Sequence, residues 1–220
     1  MAAMLETAKL VLLIVSGLFP IVNPLGGAPI FLALTDGYPE QARRALARRI
    51  AINSFFLIVG SYLVGSYILA FFGISLPVVQ VGGGLVVVST GWRMLQQPEP
   101  AHHEHVRDVG ADALSRAFYP LTLPLTVGPG SISVAITLGA NAQPAAAAEL
   151  LTFAAALIGA AVIALSVFLC YGFANRLARA LGPTAMSVIL RLSSFLLVCI
   201  GVQIVWNGVS ALLGSMGPGR

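Results

Sequence analysis

The sequence predicts an all-α, polytopic membrane protein: six transmembrane helices in two inverted three-helix repeats, with the first and fourth helices broken. Composition is the first reason. The chain is 58% hydrophobic and 9% charged, with a mean hydropathy of +0.92, whereas soluble domains carry about 25% charged residues. A water-facing surface cannot be built from so few charges. The second reason is the distribution of what charge there is. Residues 10–35, 50–92, 117–148, 150–175 and 192–219 contain no Asp, Glu, Lys or Arg, and a span needs roughly 20 apolar residues to cross about 30 Å of hydrocarbon. The third is that two of these runs carry proline and glycine near their midpoints.

The first span is expected at 8–35. Lys9 ahead of an apolar stretch has the look of a signal peptide, but apolarity continues to Leu34 and no small-residue cleavage site follows Leu18, so the segment is expected to be retained. The run 50–92 is long enough for two spans, 48–71 and 77–95, with Phe72-Gly73-Ile74-Ser75-Leu76-Pro77 as the turn between them. The remaining spans are expected at 117–140, 147–174 and 188–213. A polar stretch, 97–115, carries Glu99, Glu104, Asp108 and Asp112 with His102, His103 and His105. It divides the chain into halves 1–96 and 116–220. Three spans per half make the second half enter the membrane from the opposite side, so halves of common descent would form an inverted repeat.

Basic residues set the orientation. Arg43, Arg44, Arg48, Arg49, Arg93, Arg107, Arg116, Arg176 and Arg179 fall in alternate loops on one side. Arg191 can snorkel to that side, and only Lys9 and Arg220 lie on the other. This places the Arg-bearing loops in the cytoplasm and both termini outside, in a plasma (inner) membrane. The pI near 9.5 is thereby accounted for by topogenic charge, and no nucleic-acid partner is expected. Cys170 and Cys199 are too few for a disulfide framework and read as small buried apolar residues.

The two interruptions carry the functional reading. Asn23-Pro24-Leu25-Gly26-Gly27-Ala28-Pro29 and Pro124-Leu125-Thr126-Val127-Gly128-Pro129-Gly130 both fall near the bilayer midplane. An interior proline removes a backbone donor and clashes with the carbonyl four residues back, and freed polar groups in hydrocarbon need protein or a water-filled cavity to satisfy them. Asn is a preferred N-cap and proline is favoured at the first helical position, so Asn23-Pro24 and Gly128-Pro129 each read as the start of a half-helix. Two such N-termini, each with about half a positive charge, suit a carboxylate. Gly26, Gly27 and Gly130 would let backbone approach a ligand. Paired breaks in corresponding places are the sequence mark of a transporter site.

Asn23-Pro24-x-Gly-x-x-Pro29-x-Phe31, Gly73-Ile74-Ser75 with Gly82-Gly83 and Gly91-x-x-Met94, and Pro120 with Pro124-Leu125-x-x-Gly128-Pro129-Gly130 together resemble the MarC family of bacterial and archaeal membrane proteins over essentially the whole chain. Gly84 makes a triple glycine where the family pattern leads one to expect a bulkier residue. The resemblance implies six spans in two inverted triplets and transport of small neutral amino acids such as glycine and alanine.

No Asp or Glu lies deep in any span, Asp36 and Glu149 being at span ends, so a carboxylate relay is disfavoured and a zwitterion suits the site. Its carboxylate would rest on the half-helix N-termini, and its ammonium on carbonyls or the hydroxyls of Thr126, Ser131 or Ser133. The expected substrate site is thus Asn23, Pro24, Leu25, Gly26, Gly27, Thr126, Gly128, Pro129, Gly130 and Ser131. Asn53, Gln80, Gln203 and Asn207 are expected to make interhelical hydrogen bonds, and Ala156, Ala160 and Ala164 to allow close helix packing. The histidine tract is not expected to hold a metal. No nucleophile triad, phosphate loop or redox pair is apparent, so neither an enzyme nor a cofactor is expected. The rival reading is a structural or regulatory protein of the cell envelope whose broken spans merely pack; oligomeric state stays open. The orientation is tested by introducing a cysteine at Gly217, which should react with a membrane-impermeant maleimide from the outer side; labelling from the cytoplasmic side alone would reverse it.

Overall fold

The computed structural model describes residues 2–96, 116–142 and 149–216. The histidine tract and Gly217 lie outside the described residues. Helix α1 (Ala2–Val22) passes through Asn23 into α2 (Pro24–Leu34), followed by α3 (Glu40–Phe71) and α4 (Leu76–Gln96). The second half holds a wide, irregular helical segment, α5 (Ala117–Thr126), then α6 (Pro129–Asn141), α7 (Glu149–Gly172) and α8 (Ala174–Met216). All regular structure among the described residues is helical. Leu5–Leu34, Glu40–Phe71, Leu76–Gln96, Leu150–Gly172 and Thr184–Ser215 are each long and apolar enough to cross a membrane, and α5 with α6, bent by 69°, makes a sixth if the pair counts as one span.

Helix α3 starts at Glu40 rather than at residue 48, and the cause is Arg43. Although charged, it is only 8% exposed. Its Nε donates to Thr35 Oγ1 at 3.0 Å and its Nη2 to Thr35 O at 2.8 Å, so it satisfies a carbonyl at the C-terminal end of α2, where a cation is electrostatically favoured. Arg43, Arg44, Arg48 and Arg49, expected in a loop, therefore lie on helix. The start of α8 also differs from expectation. It begins at Ala174, and Gly182, at φ 75°, separates a short piece from the crossing helix; Gly73, at φ 67°, serves the turn before α4. Both need the left-handed region that favours glycine.

The halves interleave. The main packings are α4 on α8, α3 on α6 and α7, α1 on α7, α4 on α6 and α2 on α8, and contact between helices of the same half is slight among the described residues, the largest being α7 on α8. Neither half has a core of its own. The buried set, including Leu18, Phe31, Leu46, Ile50, Ile58, Val167 and Tyr171, is drawn from both. Leu12, Phe56, Tyr67, Leu192 and Trp206 are well exposed, as expected of a surface solvated by lipid.

Packing of α4 on α8 is set by glycine. A Cβ on Gly84 would lie 2.8 Å from Gly201 O, one on Gly91 2.9 Å from Ser194 O, and one on Gly208 2.7 Å from Pro77 O. The two helices are thus antiparallel and nearly backbone to backbone, the kind of approach that holds helices together in lipid. Gly84, the departure from the family pattern, is part of this contact. Ala156, Ala160 and Ala164 are buried on α7, where Gly159 packs against Ile14 of α1.

Two side-chain expectations need correction. Cys199 is exposed rather than buried, because Ser194, Leu197, Gly201 and Gly208 form the inward face of α8. Gln203 Nε2 donates to Asn207 Oδ1 at 2.9 Å one turn along the same helix, so this pair is not interhelical. Asn53 does cross between helices, donating to Thr122 Oγ1 of α5 at 3.3 Å. Overpacking of a close contact costs about 1–3 kcal/mol. Gly84→Leu should therefore lower the thermal midpoint in detergent by about 5 °C or more, while Gly82→Leu, where a side chain meets open space, should leave it nearly unchanged; equal midpoints for the two would contradict the contact.

Candidate functional site

The two interruptions are built differently. Asn23 adopts a left-handed conformation (φ 47°, ψ 59°), which asparagine tolerates better than most residues. Its Oδ1 accepts from Gly26 N–H at 3.1 Å, its own N–H donates to Phe19 O at 2.9 Å, and its carbonyl accepts from Gly27 N–H at 2.9 Å. Pro24 has no N–H to satisfy. The start of α2 is thus largely self-capped, and few donors are left for a ligand. The exception is Asn23 Nδ2, buried without a hydrogen-bond partner among the described residues.

The second interruption is open. Pro120 and Pro124 lie inside α5, where Tyr119 and Leu123 have extended backbone. Two carbonyls of this segment are held by hydroxyls: Thr122 Oγ1 donates to Ala117 O at 2.6 Å and Thr126 Oγ1 to Leu121 O at 2.7 Å. At Gly128 the chain is extended (φ −91°, ψ 179°), no side chain caps α6, and Pro129 occupies its first turn. The amides of Gly130 and Ser131 belong to the group that any α-helix leaves unpaired at its N-terminus.

A cavity of about 460 Å³ lies over this end of α6, within the range of small-molecule sites. From the second interruption it is lined by Pro124, Leu125, Thr126, Gly128, Pro129, Gly130 and Ser131, and from α4 by Leu85, Val86, Val87, Ser89, Thr90 and Arg93, with Ile21 and Leu197 completing it. Of the residues expected at the site, Thr126, Gly128, Pro129, Gly130 and Ser131 are brought together here. Asn23, Pro24, Leu25, Gly26 and Gly27 do not line it. Pro24, Gly26 and Gly27 are buried against protein, and Leu25 is exposed.

The glycines are occupied with packing. A Cβ on Gly27 would run into the Tyr171 hydroxyl, one on Gly26 into the Asn23 side chain, and one on Gly130 into Val87. Ser133 donates to Val79 O of α4 at 2.9 Å, which commits its hydroxyl to that helix. Tyr171 ties the interruptions together. It is fully buried, its ring stacks on Phe31 of α2 with centroids 4.7 Å apart, and its hydroxyl lies 3.2 Å from Thr126 Oγ1. Because Thr126 already donates to Leu121 O, Tyr171 is the donor in this pair.

Tyr171, Ser89, Thr90 and Arg93 escaped the sequence reading. The last three share one side of α4 at one-turn spacing, a polar stripe in an otherwise apolar span that could have marked it. Tyr171 left only the weak signal of one aromatic hydroxyl late in a mostly aliphatic helix. No group of three metal-ligating side chains occurs among the described residues.

The sequence profile described as MarC family integral membrane protein matches residues 8–213. Among similar proteins, UPF0056 membrane protein YvbG of Bacillus subtilis is 30% identical over 199 residues, covering 89% of this chain and 92% of the relative. UPF0056 membrane protein MJ1677 of Methanocaldococcus jannaschii is 30% identical over 199 residues, covering 90% and 95%. UPF0056 inner membrane protein MarC of Salmonella arizonae is 30% identical over 204 residues, covering 89% and 92%. No solved structure gives a significant match. With nearly its whole length matched, apolar crossing helices and an interrupted fourth segment, this chain belongs to the MarC family of integral membrane proteins.

Proposed function

We propose that the protein is a secondary transporter of small neutral amino acids such as glycine and alanine, more an exporter than an importer, working by alternating access around the cavity at the start of α6. The observation that carries this reading is the uncapped α6 N-terminus opening onto a cavity of ligand size in an apolar protein. Its amides and partial positive charge suit a carboxylate. The ammonium has backbone carbonyls and the hydroxyls of Ser89, Thr90 and Ser131 within the lining. Among the described residues the lining contains no Asp or Glu, which disfavours a net cation as cargo.

An inverted repeat is supported by how the packings correspond. Exchanging the halves turns α1 and α2 on α7 into α5 and α6 on α3, and α2 on α8 into α6 on α4, while α4 on α8 and α3 on α7 map onto themselves. The displacement that carries Gly84 to Ser194 carries Gly91 to Gly201, so the contacts Gly84–Gly201 and Gly91–Ser194 interchange. Two triplets related in this way offer two equivalent packings, one for each side of the membrane. In this reading both termini face outside and the Arg-bearing ends face the cytoplasm of an inner membrane, the location that the Salmonella relative's name gives for that protein. The bilayer is its solvent, and the reaction needs no cofactor and no catalytic residue.

Purified protein in liposomes should catalyse saturable counterflow of radiolabelled glycine or alanine. Flux without counterflow would indicate a channel, and no flux at all a structural role. If helix-end amides hold the carboxylate, glycinamide should bind about ten-fold more weakly than glycine, since charge-assisted hydrogen bonds are roughly twice as strong as neutral ones. Arg191→Gln, at an exposed position of α8, should leave the glycine binding constant within a few-fold of wild type by calorimetry. A large loss there, with glycinamide tolerated, would overturn recognition by the helix end.

A further inference from the structure

The electrostatics of the cavity are one-sided. Among the described residues Arg93 is the one charged side chain in its lining. The other fixed charge facing the cavity is the positive end of α6, about half an elementary charge. Arg93 sits in the last turn of α4, and no ion pair holds it among the described residues. Along α4 the lining runs from Leu85 to Arg93, a rise of about 12 Å at about 1.5 Å per residue. The cavity therefore extends from the middle of the α4 span towards its C-terminal end, with Ser89 and Thr90 between. Both the inner end and the mouth favour an anionic group, and among the described residues no acidic side chain in the lining offsets them.

We propose that Arg93 is the specificity-determining residue of the mouth: its guanidinium receives the carboxylate of an entering or leaving solute and turns away cations, before or after the carboxylate rests on the Gly130 and Ser131 amides. Arginine suits the role because its planar fork matches a carboxylate in two-point contact and stays charged. The proposal depends on the transport reading only for the identity of the solute. If Arg93 were present solely to orient the span, as basic residues at cytoplasmic helix ends do, it would confer no selectivity on the cavity.

Charge-selective labelling of the full chain in liposomes separates the two roles without requiring any substrate. In a background with Cys170→Ala and Cys199→Ala, Ser89→Cys places a thiol in the lining. The ratio of its rate with an anionic sulfonatoethyl thiosulfonate to that with a cationic trimethylammonioethyl analogue reads the local potential. Adding Arg93→Gln should lower this ratio about five-fold or more, Arg93→Lys should keep most of it, and salt at about 1 M should shrink the difference. Thr90→Cys repeats the measurement if Ser89→Cys does not fold. An unchanged ratio on Arg93→Gln, or failure of both thiols to react with either reagent, would overturn the proposal. Absence of glycine counterflow would instead count against the transport reading and leave this result standing.

Discussion

The rest of the structure depends on satisfying the backbone carbonyls of α5, an irregular segment with two interior prolines inside a membrane protein. In hydrocarbon an unpaired backbone group costs several kcal/mol, so α5 can persist only if other groups pair with it. Thr122 and Thr126 do this with hydroxyls bonded to Ala117 O and Leu121 O. Each threonine oxygen then accepts from another helix, Thr122 from Asn53 of α3 and Thr126 from Tyr171 of α7. The interruption is thereby fastened on two sides, and Tyr171 extends the chain of contacts to Phe31 and Gly27 of α2.

That arrangement explains why two interruptions of similar composition behave differently. Asparagine brings its own acceptor to the start of α2 and can take a left-handed turn without losing the bond from Asn23 N–H to Phe19 O. Glycine at position 128 brings no side chain, and the chain is extended there, so the first turn of α6 lines the cavity without a side-chain cap. Asparagine at the start of α2 thus gives a closed end, and glycine at the start of α6 an end without a side-chain cap.

Where the long apolar helices run was legible in the sequence, and which way their residues face was not. Charge-free runs fix where spans lie, and the order Asn-Pro or Gly-Pro fixes where half-helices start. Whether a residue on a span meets protein, lipid or a cavity depends on helix rotation, which apolar spans hide because every face is hydrophobic. Arg93 therefore reads as a loop-side charge although it lines the cavity, and Cys199 reads as buried although it faces outward. Arg43 was misread for a related reason: its partner, Thr35, sits across a turn, and only their bonds reveal that helix α3 begins before the span does. Gly84 stood out as an exception to a pattern, and its meaning lay in Gly201, far away in sequence.

The cavity has a direction because α4 and α6 are not packed evenly along their length. Towards the N-terminal end of α4 they are locked: Ser133 of α6 bonds Val79 O, Gly83 lies against Ser133, and Val87 fills the space beside Gly130. Beyond Val87, α6 has reached its N-terminal end at Pro129, and the lining from Ser89 to Arg93 runs past it. The lock contains one interhelical hydrogen bond to a carbonyl, worth about 0.6 kcal/mol in a membrane setting and at most about 2, together with glycine contacts that have no side chain to disentangle. The α4–α8 contact is of another kind, because there the glycines bring backbone against backbone along both helices.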